Sequence, residues 1–195
     1  LSSSALASIE QFLPLEITSM SRTSVTLQFL GTLVVHTSHQ SGCARLSTYS
    51  STDLANTVGA FAGIKLIDQP FLDAISAAAR AQLSEYIAED LANTSWALAT
   101  LLIVDVPLMD AIAASSRRNM QHFTPTDLSR MSWAVAKLSY ANETLLSSIA
   151  EASLKNCVNF GPQQIAGIAW SMASISYVNY PLFSSLSAEA IRQMP

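Results

Sequence analysis

Apolar positions follow a helical period along most of the chain. Leu91, Leu98, Leu101 and Leu102 share one helix face, and Leu108, Ile112 and Met120 share another. Alanines at 92, 97 and 99 leave a thin surface between them, which lets neighbouring helices approach closely. The pattern then returns in register. Asp53-Leu-Ala-Asn-Thr57, Asp90-Leu-Ala-Asn-Thr94, Asp127-Leu-Ser-Arg-Met131 and Gln164-Ile-Ala-Gly-Ile168 start 37 residues apart. Gly59, Trp96, Trp133 and Trp170 occupy one position of the repeat, and Ala62, Ala99, Ala136 and Ala173 another. So do Phe71, Leu108, Leu145 and Leu182, and then Leu83, Met120, Cys157 and Met194. No gap interrupts the register, so chance is a poor explanation.

Each unit reads as two helices. Asp53, Asp90, Asp127 and Gln164 open the first; Asp there serves as an N-cap or first-turn residue. Pro70, Pro107 and Pro181 sit in the first turn of the second. Pro125 and Pro162 read as stops that end the second helix before the next unit. The expected helices are 53–66, 71–87, 90–103, 108–123, 127–140, 145–159, 164–177 and 182–193. A weaker copy lies upstream, with Met20-Ser-Arg-Thr23 matching Leu128-Ser-Arg-Met131. Thr23 to His36, rich in β-branched residues, is the poorest helix in the chain.

A single helix–turn–helix of this length cannot bury its apolar stripe, whereas stacked copies bury one continuous core. The predicted fold is therefore an all-α solenoid. It has a partial repeat at 1–18, a degenerate repeat at 19–52, and four repeats at 53–89, 90–126, 127–163 and 164–195, all one domain.

Composition narrows the function. Half of the residues are hydrophobic and 12% are charged, which excludes a disordered tail. The apolar run from Trp96 to Val104 is stopped by Asp105, far short of a membrane span. Ten Lys and Arg against fourteen Asp and Glu give a net charge of −4, an unfavourable start for nucleic-acid binding. There is no phosphate-binding Gly loop, no nucleophile–base pairing and no convergent carboxylate pair, so no enzyme and no cofactor are expected. His36, His39 and Cys43 are spaced like metal ligands, but a closed zinc site needs a fourth, and no metal is assigned. Cys157 fills an apolar position of the repeat and reads as a small core residue.

The string Leu91-Ala-Asn-Thr-x-Trp-Ala-x-Ala99 resembles the octotricopeptide repeat, and the 37-residue spacing is closer still to its heptatricopeptide relatives. Leu128 to Ala136 and Ile165 to Ala173 repeat the string, and the resemblance covers about residues 19–195. It implies a helical-repeat protein of a chloroplast or mitochondrion. It also implies RNA binding in RNA processing, translation or ribosome assembly.

Two functional readings follow. The first is a protein-docking or scaffold subunit of a larger organellar assembly, with other protein subunits as partners. The acidic balance and the apolar start at Leu6, Ile9, Phe12 and Leu13, a candidate docking edge, favour it. The alternative is an organellar RNA-binding factor for single-stranded RNA. Its candidate contacts are the polar, variable column Asn56, Asn93, Arg130 and Gly167, where one-base-per-repeat proteins carry their code. Arg117, Arg118, Lys137 and Lys155 join Arg130 in a modest basic patch, with no basic stripe along the whole length. The tryptophan column reads as core rather than as a base-stacking ladder.

Overall fold

A computed structural model describes residues 46–194; the upstream repeats, the Thr23–His36 segment, the His36–His39–Cys43 cluster and the Leu6–Leu13 edge lie outside the described residues. Within them the fold is all-α. Eight α-helices follow a short 3₁₀ turn at Leu46–Thr48: α1 (Ser51–Ile64), α2 (Gln69–Gln82), α3 (Ala88–Leu101), α4 (Val106–Asn119), α5 (Pro125–Lys137), α6 (Glu143–Asn156), α7 (Pro162–Ser174) and α8 (Tyr180–Gln193). Further 3₁₀ turns at Met120–His122 and Cys157–Asn159 follow α4 and α6.

The odd-numbered helices start about two residues before the expected positions, because the conserved-looking Asp is the third helical residue rather than the cap. Ser50 caps α1: its Oγ accepts from the Asp53 backbone N–H at 3.2 Å, and the Asp53 carboxylate accepts from the Ser50 N–H at 3.1 Å. Thr124 and Asp127 form the same reciprocal box on α5. On α3 half of it survives: Asp90 Oδ2 accepts from the Ile87 N–H at 3.4 Å, since Ile87 has no side-chain acceptor. Pro125 and Pro162 are likewise starts, not stops. They are the first residues of α5 and α7, where a missing N–H costs nothing.

The even-numbered helices open on a series the repeat also carries. Asp68, Asp105, Asn142 and Asn179 each accept, through the side chain, the N–H three residues on, at 3.0–3.2 Å. The odd helices end on left-handed residues at equivalent places, Lys65, Leu102, Ser139 and Ser176, with φ of 53–57°. None is glycine, so each carries the steric cost of a Cβ in that region. Lys65→Gly, at an exposed site, is expected to raise the unfolding free energy by about 1 kcal/mol, read from chemical denaturation.

Each odd helix packs on the next odd helix, and each even helix on the next even one. Two layers result, joined by antiparallel pairs. The odd layer meets through small buried residues, Ala92, Ser95, Ala97, Ser132 and Ala134, and its helices approach closely. The even layer meets through Leu72, Met109, Ile112, Leu146 and Ile149, which hold its helices further apart. Hydrogen bonds cross between pairs, among them Ser115 Oγ to the Leu83 carbonyl at 3.2 Å and Gln193 Nε2 to the Phe160 carbonyl at 2.6 Å.

The tryptophans are shallower than expected. Trp96 and Trp133 are half-buried against the core, and Trp170 is 53% exposed. Trp170 is on α7, which has an odd helix on one side only. Ala173 and Met194 are also exposed, whereas their counterparts Ala136 and Cys157 are buried.

Candidate nucleic-acid interface

The hairpin topology gives the slab two long edges. One gathers the ends of the even helices and the starts of the odd ones; the other gathers the odd-to-even loops. On the first edge every even helix carries a base in its last turn: Arg80, then Arg117 and Arg118, then Lys155, then Arg192. A cation there suits the negative end of the helix dipole. All five are exposed. Each of the four pairs contributes to the row, while Asp53, Asp90 and Asp127 stand in the first turns of the odd helices on the same edge. Exposed Glu85 and Glu89 interrupt it beside the start of α3. Among the described residues, the only ion pair is Arg192 with Glu189.

That pair has its own chemistry. The Glu189 side chain is 7% exposed and accepts from Arg192 Nε at 2.9 Å, from Arg192 Nη2, and from Gln193 Nε2 at 2.6 Å. The arginine hydrogen bonds, then the glutamine bond, hold its carboxyl down to about 2 from the ordinary 4.5. A depressed carboxylate contributes stability that is complete above its unfolded value and lost as pH falls through its folded one. The Glu189 carboxyl, followed by NMR, is therefore expected to stay ionised until pH nears 2 and to titrate at higher pH in Arg192→Ala.

The polar column is partly tied up in packing. Arg130 Nη1 donates to Asn93 Oδ1 at 2.5 Å, linking α5 to α3 across one repeat. Gly167 faces α5 so closely that a Cβ there would lie 2.6 Å from Ser129 Oγ, so it supplies a close approach rather than a side chain. Asn56 is half-buried on α1. Arg130 also lines an open cleft of about 480 Å³ where α3 and α5 begin, with Ile87, Glu89, His122, Thr126 and Asp127. The acid on the α3 side of this edge, Asp90, is buried at 2% exposure; desolvation raises its pKa, against hydrogen bonds from Ile87 N–H and Thr52.

The sequence-derived basic patch divides. Arg117, Arg118 and Lys155 share the first edge, and Arg130 lies just inside it. Lys137 does not join them: it ends α5, on the loop edge, about 20 Å along the helix from the Pro125 end. Arg80 and Arg192 belong to the row and were missed. Their signal was present in the register: Arg80 aligns with Arg117, and Arg118 aligns with Lys155 and Arg192. Cys157 is buried as expected, and burial pushes its thiol up. Among the described residues no group of acidic, His or Cys side chains could hold a metal ion, and no helix is long and apolar enough to cross a membrane.

The described residues form an all-helical stack of four hairpins with a row of bases along one edge. The family described as Tbc2 translation factor, N-terminal domain, matches residues 30–194, most of the chain, and the protein belongs to it. Among curated proteins none matches the chain.

Proposed function

We propose that the chain is a non-enzymatic helical-repeat module that holds single-stranded RNA during translation in an organelle. The equal 37-residue register of the helices and their two-layer stacking support an α-solenoid of the octotricopeptide type. The family's printed role in translation supports the RNA reading over docking alone. The single observation that carries it is the row of Arg80, Arg117, Arg118, Lys155 and Arg192 along one edge. Net charge hid this row, because Asp53, Glu85, Glu89, Asp90 and Asp127 share its edge at the starts of the odd helices and offset it in the sum. Phosphates would run along the edge, and the cleft beside Arg130 would take a base next to Ile87 and His122. The test is the affinity of the chain for single-stranded RNA across salt, with Arg80, Arg117, Arg118 and Lys155 changed together to Ala. Binding with unchanged strength and salt dependence in that variant would remove the proposal. The second reading, docking to a protein, is supported by exposed apolar residues on the opposite edge.

A further inference from the structure

The loop edge repeats an apolar motif. Ile67, Val104 and Val178 hold one position of the odd-to-even loop and are 59%, 62% and 64% exposed; Ala141 stands there in the third pair. Leu102, Val106 and Tyr180 flank them, also exposed. Ile87, Val158, Trp170, Ile191 and Met194 are exposed elsewhere, but among the described residues only on this edge does exposure of a large aliphatic side chain recur at one position of the register, in Ile67, Val104 and Val178. The loops that present them are held on both sides. A left-handed residue closes the odd helix and an Asp or Asn cap opens the even one, so the side chains stand in a fixed geometry. Tyr140 donates from its hydroxyl to Asp110, tying the third loop to the second pair. Around the apolar row stand Asp68, Asp73, Asp105, Asp110 and Glu143, against Lys65 and Lys137. The edge is therefore apolar with an acidic surround.

We propose that this edge docks a basic amphipathic helix of a partner protein. The charge of the surround selects Lys and Arg flanking the partner's apolar stripe. Spacing selects the helix. Stacked pairs lie about 10 Å apart, which is the rise of about seven helical residues. Apolar anchors at i, i+7, i+14 and i+21 thus meet the four loops in turn, over a row of about 30 Å. RNA has no apolar stripe to match this row, and its phosphates are repelled by the five acids. The surface is independent of the RNA reading and stands or falls separately.

The probe is a synthetic 24-residue helix with Leu at that spacing and Lys or Arg beside each Leu. Two controls accompany it, one with the Leu spacing scrambled and one with Glu in place of the bases. Binding to the whole chain is followed by fluorescence anisotropy and by NMR shift mapping. The expected result is saturable binding of the probe, shifts at Ile67, Leu102, Val104 and Val178, and affinity about tenfold weaker for both controls and for Val104→Asp. Val104 is exposed, so Val104→Asp should keep its unfolding midpoint, and Asp73→Lys with Asp110→Lys should weaken the probe without touching the apolar row. Equal binding by the scrambled helix, or shifts confined to the Arg117–Lys155 edge, would overturn the proposal. Saturable binding that RNA displaces would do so too, since it would place both ligands on one edge.

Discussion

Phe160→Ala is expected to lower the unfolding free energy by about 3–5 kcal/mol, the largest loss from a single side chain in the described residues. Phe160 is 1% exposed and is among the largest fully buried side chains. It follows the 3₁₀ turn after α6 and sits where the third pair meets the fourth, in a column with Tyr86 and Phe123, both also buried. Its backbone N–H donates to the Cys157 carbonyl and its carbonyl accepts from Gln193. Alanine keeps both backbone bonds and removes only the ring, so the effect isolates the cavity. In a linear stack the damage falls on the nearest interface. Denaturation should therefore become broader, and amide exchange should accelerate in α7 and α8 before α3 and α4. A cooperative, unchanged transition would mean that the ring does not join the two pairs.

The second large effect concerns RNA. Removing Arg80, Arg117, Arg118 and Lys155 together is expected to flatten the salt dependence of RNA affinity. Four phosphate contacts on a single strand give a slope of about −2.8 in log affinity against log salt. Between 50 and 200 mM salt the native chain should then lose about fifty-fold in affinity, and the variant little. Arg192 is left in place because Glu189 already holds it, so its removal would confound binding with stability. Filter binding or anisotropy at four salt concentrations checks the slope. All four bases are exposed and outside the core, so the unfolding midpoint of the variant should stay near native.

The register of the repeat made the eight helices legible from sequence, because each column kept its residue type. What failed was whatever the columns do not share. The caps of the odd helices are Ser50, Ile87, Thr124 and Gly161, four different residues, so the eye settles on the constant Asp and starts each helix late. The tryptophans share a column but not a neighbourhood, and burial follows neighbours. The base row failed for a different reason. Summed charge treats Asp68 or Asp105, which cap even helices on the far edge, as if they faced Arg117. Lys137 was grouped with Arg130 by nearness in sequence, although a helix length separates their ends. The loop edge is not legible in the helical period because Ile67, Val104 and Val178 lie between the helices.

The two layers also give the stack a mechanical character. Ala97, Ala134 and their neighbours bring the odd helices to contact distance, so that side resists further compression and acts as a spine. The even helices, held apart by longer side chains, can fan and close about it like the limbs of a bow. Any such bend is levered across a layer spacing of about 10 Å and moves neighbouring even-helix ends relative to one another. Arg80, Arg117 and Lys155 ride on those ends, so tension along a bound strand would be read out as curvature of the protein.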